Sequence, residues 1–229
     1  MKVQLINHTP QPERTVAAAA RLCYSPIGAE TILERFSREE EIKLLEKLIS
    51  LGHLSPLEHA SFTFAAEGVS RVLSHQLVRH RMASYSQKSQ RYVDERQFSY
   101  IVPPSIQRDQ EALAQFTQTM EELARIYEGL LKTVPKEDAR YVLPAACETK
   151  LVFTFNGRSL LNFFAHRLCR RAQWEIREMA RLMLAQVQVV APVIFHHAGP
   201  SCETHGICYE GSLSCGRAPV IKERFPGNK

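Results

Sequence analysis

What this chain lacks narrows the field before any motif is read. No apolar stretch approaches the roughly 18 residues of a membrane span, and the opening MKVQLINHTP puts no long hydrophobic segment behind its single lysine. Neither a membrane span nor a secretory signal is expected, which points to a soluble cytoplasmic protein. Cysteine is sparse, six residues in 229. That is too few over this length for a disulfide scaffold, so most of the thiols are expected to be reduced. There is no internal repeat, no low-complexity linker and no shift in composition that would mark a boundary. Residues 1–229 therefore read as one domain, with a Cys/His-containing tail from about 196. No Walker A loop, GxGxxG or Ser-His-Asp order presents itself. Net charge is modest too: 29 Lys and Arg against 24 Asp and Glu leave +5, which permits acidic small molecules or nucleic acid without requiring either.

What is present suits an α+β domain with more helix than strand. Apolar residues make up 45% of the chain, enough to bury a substantial core. KVQLI alternates like a short strand, and an Ala-rich helix follows from about Glu13 to Cys23. Ser37 with Glu40 makes a capping box for a helix bearing Ile42, Leu45, Leu48 and Ile49, which Gly52 stops. SFTFAA reads as a strand, and Val69, Val72, Leu73 and Leu77 mark a helix leading to Arg79. MASYSQKSQRY, rich in Ser and Gln, reads as a loop. From Asp109 to Lys132 the apolar set Leu113, Phe116, Met120, Leu123, Tyr127 and Leu130 predicts one long surface helix. KLVFTF is a strand, Asn156 an N-cap, and one or two helices run from about Gly157 to Val190 before Pro192. The expected fold is a modest, mostly antiparallel sheet flanked by several helices.

The densest polar constellation is RHRMASYSQKSQRY, Arg79 to Tyr92. Arg79, His80 and Arg81 stand side by side as three cations, with Ser89 and Arg91 close behind; Gln76 falls on the side of Arg79 and His80. Guanidinium forks and hydroxyls in a Ser-rich loop suit phosphate. The plainer reading is a solvated basic turn. In the helix after Asn156, Arg158, Asn162 and His166 share one stripe, while Leu161, Phe164 and Leu168 form the apolar face. Arg167 lies about 180° around the axis from Arg158. One helix cannot aim both arginines into one pocket of one subunit, so if both are functional the site is shared between chains or the two serve different ligands. The plainer reading again is solvated arginines.

GHLSPLEH groups His53, Ser55, Glu58 and His59, but the spacing matches no zincin pattern and Pro56 argues against a helix presenting both histidines. Ligand hydrogen bonding, or helix capping by Ser55, is expected instead. In the tail, His196, His197, Cys202, His205, Cys208 and Cys215 are spaced unlike common zinc motifs. No metal is expected, and free thiols or an adventitious disulfide are favoured over a zinc site.

These residues resemble the signature of the flavin-dependent thymidylate synthases. RHRMASYSQKS matches Arg-His-Arg, seven residues, then Ser. GHLSPLEH, RYVLP, NGRSLLNFFAHR and AQWEIR resemble further family segments in the family's order. The resemblance implies reductive methylation of dUMP to dTMP, with methylenetetrahydrofolate as carbon source, NADPH as reductant, FAD as carrier, and a homotetramer with shared active sites. It makes His53, Ser55, Glu58, Arg79, His80, Arg81, Asn156, Arg158 and Asn162 flavin contacts. Gln76, Gln87, Ser89, Gln90, Arg91, Arg140 and Arg167 become the nucleotide set, with phosphate at Ser89, Arg91 and Arg140 and with Arg167 polarising the uracil edge as the catalytic residue. The family usually reads Asn-Glu-x-Ser-Gly-Arg where this chain has Ser86-Gln87-Lys88-Ser89-Gln90-Arg91, and Gln90 lacks the backbone freedom of Gly. Two other classes compete. A flavoprotein reducing another substrate need not keep Ser89, Arg91, Arg140 and Arg167. A nucleic-acid-binding module should show wider basic patches than this chain carries.

Overall fold

The computed structural model describes residues 1–222; the last seven positions of the 1–229 span lie outside the described residues. Strand β1 (Lys2–His8) leads into helices α1 (Pro12–Leu22), α2 (Ala29–Arg35) and α3 (Arg38–Ser50). A 3-10 turn at Ser55–His59 precedes strand β2 (Ser61–Ser70), helix α4 (Arg71–Leu77) and strand β3 (Ala83–Gln87). Helices α5 (Pro104–Gln107), α6 (Gln110–Leu130) and α7 (Lys136–Ala139) come next, then strand β4 (Glu148–Asn156) and helices α8 (Gly157–Arg167), α9 (Trp174–Val190) and α10 (Pro192–Phe195). The tail contributes α11 (Ser201–Thr204) and the two-residue strands β5 (Ile207–Cys208) and β6 (Val220–Ile221), paired in parallel. The main sheet is four-stranded and antiparallel, in the order β1-β2-β4-β3. The α+β expectation holds.

Local chemistry explains most of these boundaries. In β2, Phe62, Phe64 and Ala66 are buried at every second position, and in β4 Thr149, Leu151, Phe153 and Phe155 follow the same rule, which is the pleat's period of two. Ser37 and Glu40 close a reciprocal capping box on α3, and Gly52, at φ 70°, ends it in the left-handed conformation. Asp109 caps α6 and Asn156 caps α8 through side-chain oxygens.

Three sequence expectations are corrected. The stretch read as a loop contains β3, because backbone pairing within the sheet overrides the weak strand preference of Ser and Gln. The buried face of α8 is Gly157, Leu160, Phe163 and Phe164, with Leu161 and Leu168 only half-buried; the apolar stripe is centred one residue earlier. Ser55 caps nothing, since Leu54 is the N-cap of the 3-10 turn and no side chain caps it.

The described residues fall into two compact units. One comprises Met1–Lys2, Ala65–Arg79 and Tyr85–Val152; the other comprises Val3–Phe64, His80–Ser84 and the chain from Phe153 onward. In the first, Phe98, Met120 and Cys147 form a core with Tyr100, Phe116, Leu123 and Leu143 packed against it. There the buried Glu95 is ion-paired to Lys88 at 2.8 Å. In the second, phenylalanines from both strands and helices interlock, Phe155 with Phe163 at 5.5 Å and Phe164 with Phe195 at 5.9 Å. Two buried carboxylates, Glu13 and Glu41, tie helices of this unit together through the exposed Arg38. Glu13 accepts the backbone N–H of Val193 at 2.6 Å and is paired with Arg38, which also reaches Glu41.

Candidate active site

In the second unit the site is built on α8 and what meets its two ends. At the start, the Gly157 N–H donates to the Ala60 carbonyl at 2.8 Å. A Cβ on residue 157 would stand 2.9 Å from the Leu57 carbonyl oxygen, so this close approach admits only glycine without a shift. The approach brings Arg158 beside the 3-10 turn, where its Nη1 donates to Glu58 Oε1 at 2.7 Å. Both side chains remain exposed, as do His53, Ser55, Arg81 and Asn162. The Asn156 carboxamide oxygen is committed to the cap, accepting from Ser159 N–H at 2.8 Å.

At the far end, Arg167 Nε donates to His80 Nε2 at 3.0 Å. The His80 ring lies edge-on to Phe163 at 5.0 Å, with Phe155 and His166 each 6.4 Å away. Burial, then the charges of Arg167 and His166, push the His80 pKa down to about 4. The imidazole is neutral at pH 7, with Nε2 as acceptor and the proton on Nδ1. The reading of Arg79, His80 and Arg81 as three cations is corrected here, because the middle residue carries no charge. Burial also lowers the pKa of Arg167, so this guanidinium has lost part of its water shell. A desolvated guanidinium is well suited to a carbonyl edge or an anion.

The first unit holds the other candidates: Gln76 on α4, Arg79 just after it, and the segment that follows β3. Gln87 donates its carboxamide N–H to Ser74 Oγ at 3.0 Å and to Thr149 Oγ1 at 3.1 Å. Ser89 Oγ accepts from Arg91 N–H at 3.2 Å, and Gln90 is buried. Arg91 and Arg140 converge on one residue, Glu137. Arg91 Nε donates to its carboxylate at 2.9 Å and Arg140 Nε to its backbone carbonyl at 3.1 Å. Glu137 was missed from the sequence, although its place three residues before Arg140 in PKEDAR was a signal for a shared turn. Arg71 was missed as well. It donates to the Lys88 carbonyl at 3.3 Å, and its pKa is lowered by burial and by the neighbouring charge of Arg140. Nothing local in the sequence marks it.

Residues 4–193 match the family model described as thymidylate synthase complementing protein. The chain is 51% identical over 242 residues to the flavin-dependent thymidylate synthase of Clostridium tetani, covering 98% of this chain and 97% of the relative. The chain belongs to this enzyme family. The flavin-dependent thymidylate synthase of Geobacter sulfurreducens is 51% identical over 228 residues, covering 98% of both chains, and that of Pyrococcus furiosus is 42% identical, covering 93% of this chain and 91% of the relative. For a flavin-dependent thymidylate synthase, two further facts bear on the site. Among the described residues, no three His, Cys, Asp or Glu side chains are grouped so as to hold a metal ion, and no helix is long and apolar enough to cross a membrane.

Proposed function

We propose that this flavin-dependent thymidylate synthase converts dUMP to dTMP by reductive methylation, using methylenetetrahydrofolate as carbon donor and NADPH as reductant through FAD. It does so in the cytoplasm as a homotetramer, with residues 1–229 acting as one functional domain and active sites drawing on several chains. The observation that carries this reading is the desolvated Arg167 guanidinium held at Nε by a neutral histidine. His80 orients the fork without neutralising its charge. An oriented guanidinium is suited to polarise a uracil carbonyl, electrostatic work that needs no enzymic nucleophile.

The donor set of the second unit fits a flavin. His53, Ser55, His80, Arg81, Asn156, Arg158 and Asn162 offer N–H and O–H donors and positive charge for a diphosphate and for ring carbonyls, Glu58 holds Arg158, and Arg79 is taken as a flavin contact on the family resemblance alone. When bound, FAD would carry the reducing equivalents that become part of the new methyl group. In the first unit, Ser89, Arg91 and Arg140 hold the phosphate, and Gln76, Gln87 and Gln90 line the nucleoside. Gln87 has spent its N–H groups on Ser74 and Thr149, so its carboxamide oxygen serves as an acceptor there. The exposed Arg91–Glu137 pair is worth only about 0–1 kcal/mol, and phosphate displaces the carboxylate at small cost.

Purified enzyme should form dTMP only when dUMP, methylenetetrahydrofolate and NADPH are all supplied. Flavin reduction without dTMP would favour a reductase of another substrate. Arg167→Ala should lower turnover by at least about 100-fold while flavin stays bound. Loss of the flavin absorption spectrum in that variant would overturn the assignment of Arg167 to the nucleotide.

A further inference from the structure

Four of the chain's cysteines meet at one small pocket in the second unit. Cys169, which follows α8, lines it together with Cys202, Cys208 and Cys215 of the tail, and all four are free thiols. Polar contacts hold the surrounding segment: Arg171 donates to the Leu213 carbonyl, Arg217 pairs with Glu203 and β5 pairs with β6. Between Gly199 and Lys222 no described element exceeds four residues, and the buried apolar residues there are Pro200, Cys208 and Ala218. A segment with so small a core needs a covalent or metal staple to keep one conformation. The pocket's other walls include Arg170, Arg171 and Arg217 together with Glu203 and Glu210, and Arg217 is paired with Glu203 at 3.4 Å. His196 and His197, whose rings meet edge-on at 4.3 Å, do not line it.

We propose that Cys169, Cys202, Cys208 and Cys215 form a tetrathiolate site for zinc that locks the C-terminal segment onto the loop after α8. Four thiolates and one divalent cation give a closed site of net charge 2−, of which the lining's three arginines and two glutamates offset one charge, and four protons are released to solvent with no change in oxidation state. All-sulfur ligation with no open position makes the site structural rather than catalytic. In the structure no three of these sulfurs are grouped as a metal cluster. Neutral thiols have no reason to approach to the ~3.8 Å that tetrahedral ligation at about 2.3 Å imposes; the cation supplies that attraction. One disulfide would use two of these thiols and leave two unexplained, and two would need the removal of four electrons, whereas all four are free thiols in the structure.

The test is elemental analysis and zinc-edge X-ray absorption on the full-length flavoprotein, neither of which reads enzymic activity. The expected result is about one zinc per chain with a shell of four sulfurs at about 2.3 Å. Cys202→Ser and Cys169→Ser should each lose at least about 10-fold in zinc affinity, whereas Cys23→Ser, at an exposed thiol remote in sequence, should leave zinc unchanged. Should the serine variants fail to fold, the absorption spectrum of the unaltered protein still decides. Metal-free protein with four titratable thiols would overturn the proposal. So would a chain two or four hydrogens lighter under non-reducing conditions, or a zinc shell containing nitrogen.

Discussion

His80 resists protonation for two separable reasons: its ring is half-buried among phenylalanines, and the guanidinium that donates to it is itself positive. Linkage turns this into a stability prediction. In the unfolded chain the imidazole titrates near its ordinary value, about 6.5, and in the folded chain only at about 4. Between those values the unfolded state holds a proton that the folded state refuses. Stability from this site is complete above about pH 6.5 and falls as pH drops toward 4. Urea unfolding at pH 7 and pH 5 should show a loss on acidification that is smaller in His80→Gln, whose carboxamide oxygen can still accept from Arg167 Nε. An equal loss in both proteins would mean that His80 already titrates normally. The triplet Arg79-His80-Arg81 stood out in the sequence as a candidate cluster, but its charge was not legible there. Charge state depends on Phe163 and Arg167, which reach His80 only through the fold.

Helix α8 shows which parts of an element can be read in advance. Its start was legible because the Asn156 cap is chemistry between residues three apart, and its two arginines were legible because helical spacing is fixed. Strand β3 was not, since what makes Ala83–Gln87 a strand is a neighbour in the sheet far along the chain. Gly157 belongs with the unreadable features: a glycine beside an N-cap is unremarked until the Leu57 carbonyl is seen 2.9 Å from where its Cβ would be. Gly157→Ala should push the start of α8 away from the 3-10 turn, lengthen the 2.7 Å Arg158–Glu58 contact and cost roughly 1–3 kcal/mol by overpacking. Flavin affinity should fall along with stability in that variant, because the displaced residues are those assigned to the cofactor. Calorimetry paired with flavin titration measures both quantities. Weakened folding with unchanged flavin affinity would detach Arg158 and Glu58 from the flavin site.

At the scale of the whole molecule the decisive relation is between Arg158 and Arg167. Nine residues apart on α8, they lie ~180° apart around its axis and about 13 Å apart along it. Each has its own partner, Glu58 at one end and His80 at the other. The helical spacing alone required two destinations, and the structure supplies them. If the protein is a homotetramer with shared sites, a given active centre takes Arg158 from one chain and Arg167 from another, and the two losses are complementable. Arg158→Ala and Arg167→Ala enzymes should each be nearly inactive as pure assemblies. Mixed assemblies made by co-expression would contain some centres with both native arginines and should exceed either pure variant by at least about 10-fold. If one chain supplied both residues to the same centre, every centre in the mixture would lack one of them. Dissociating the pure variants, reassembling them together and assaying dTMP formation separates the two arrangements, because only division of the two arginines between chains allows activity to return.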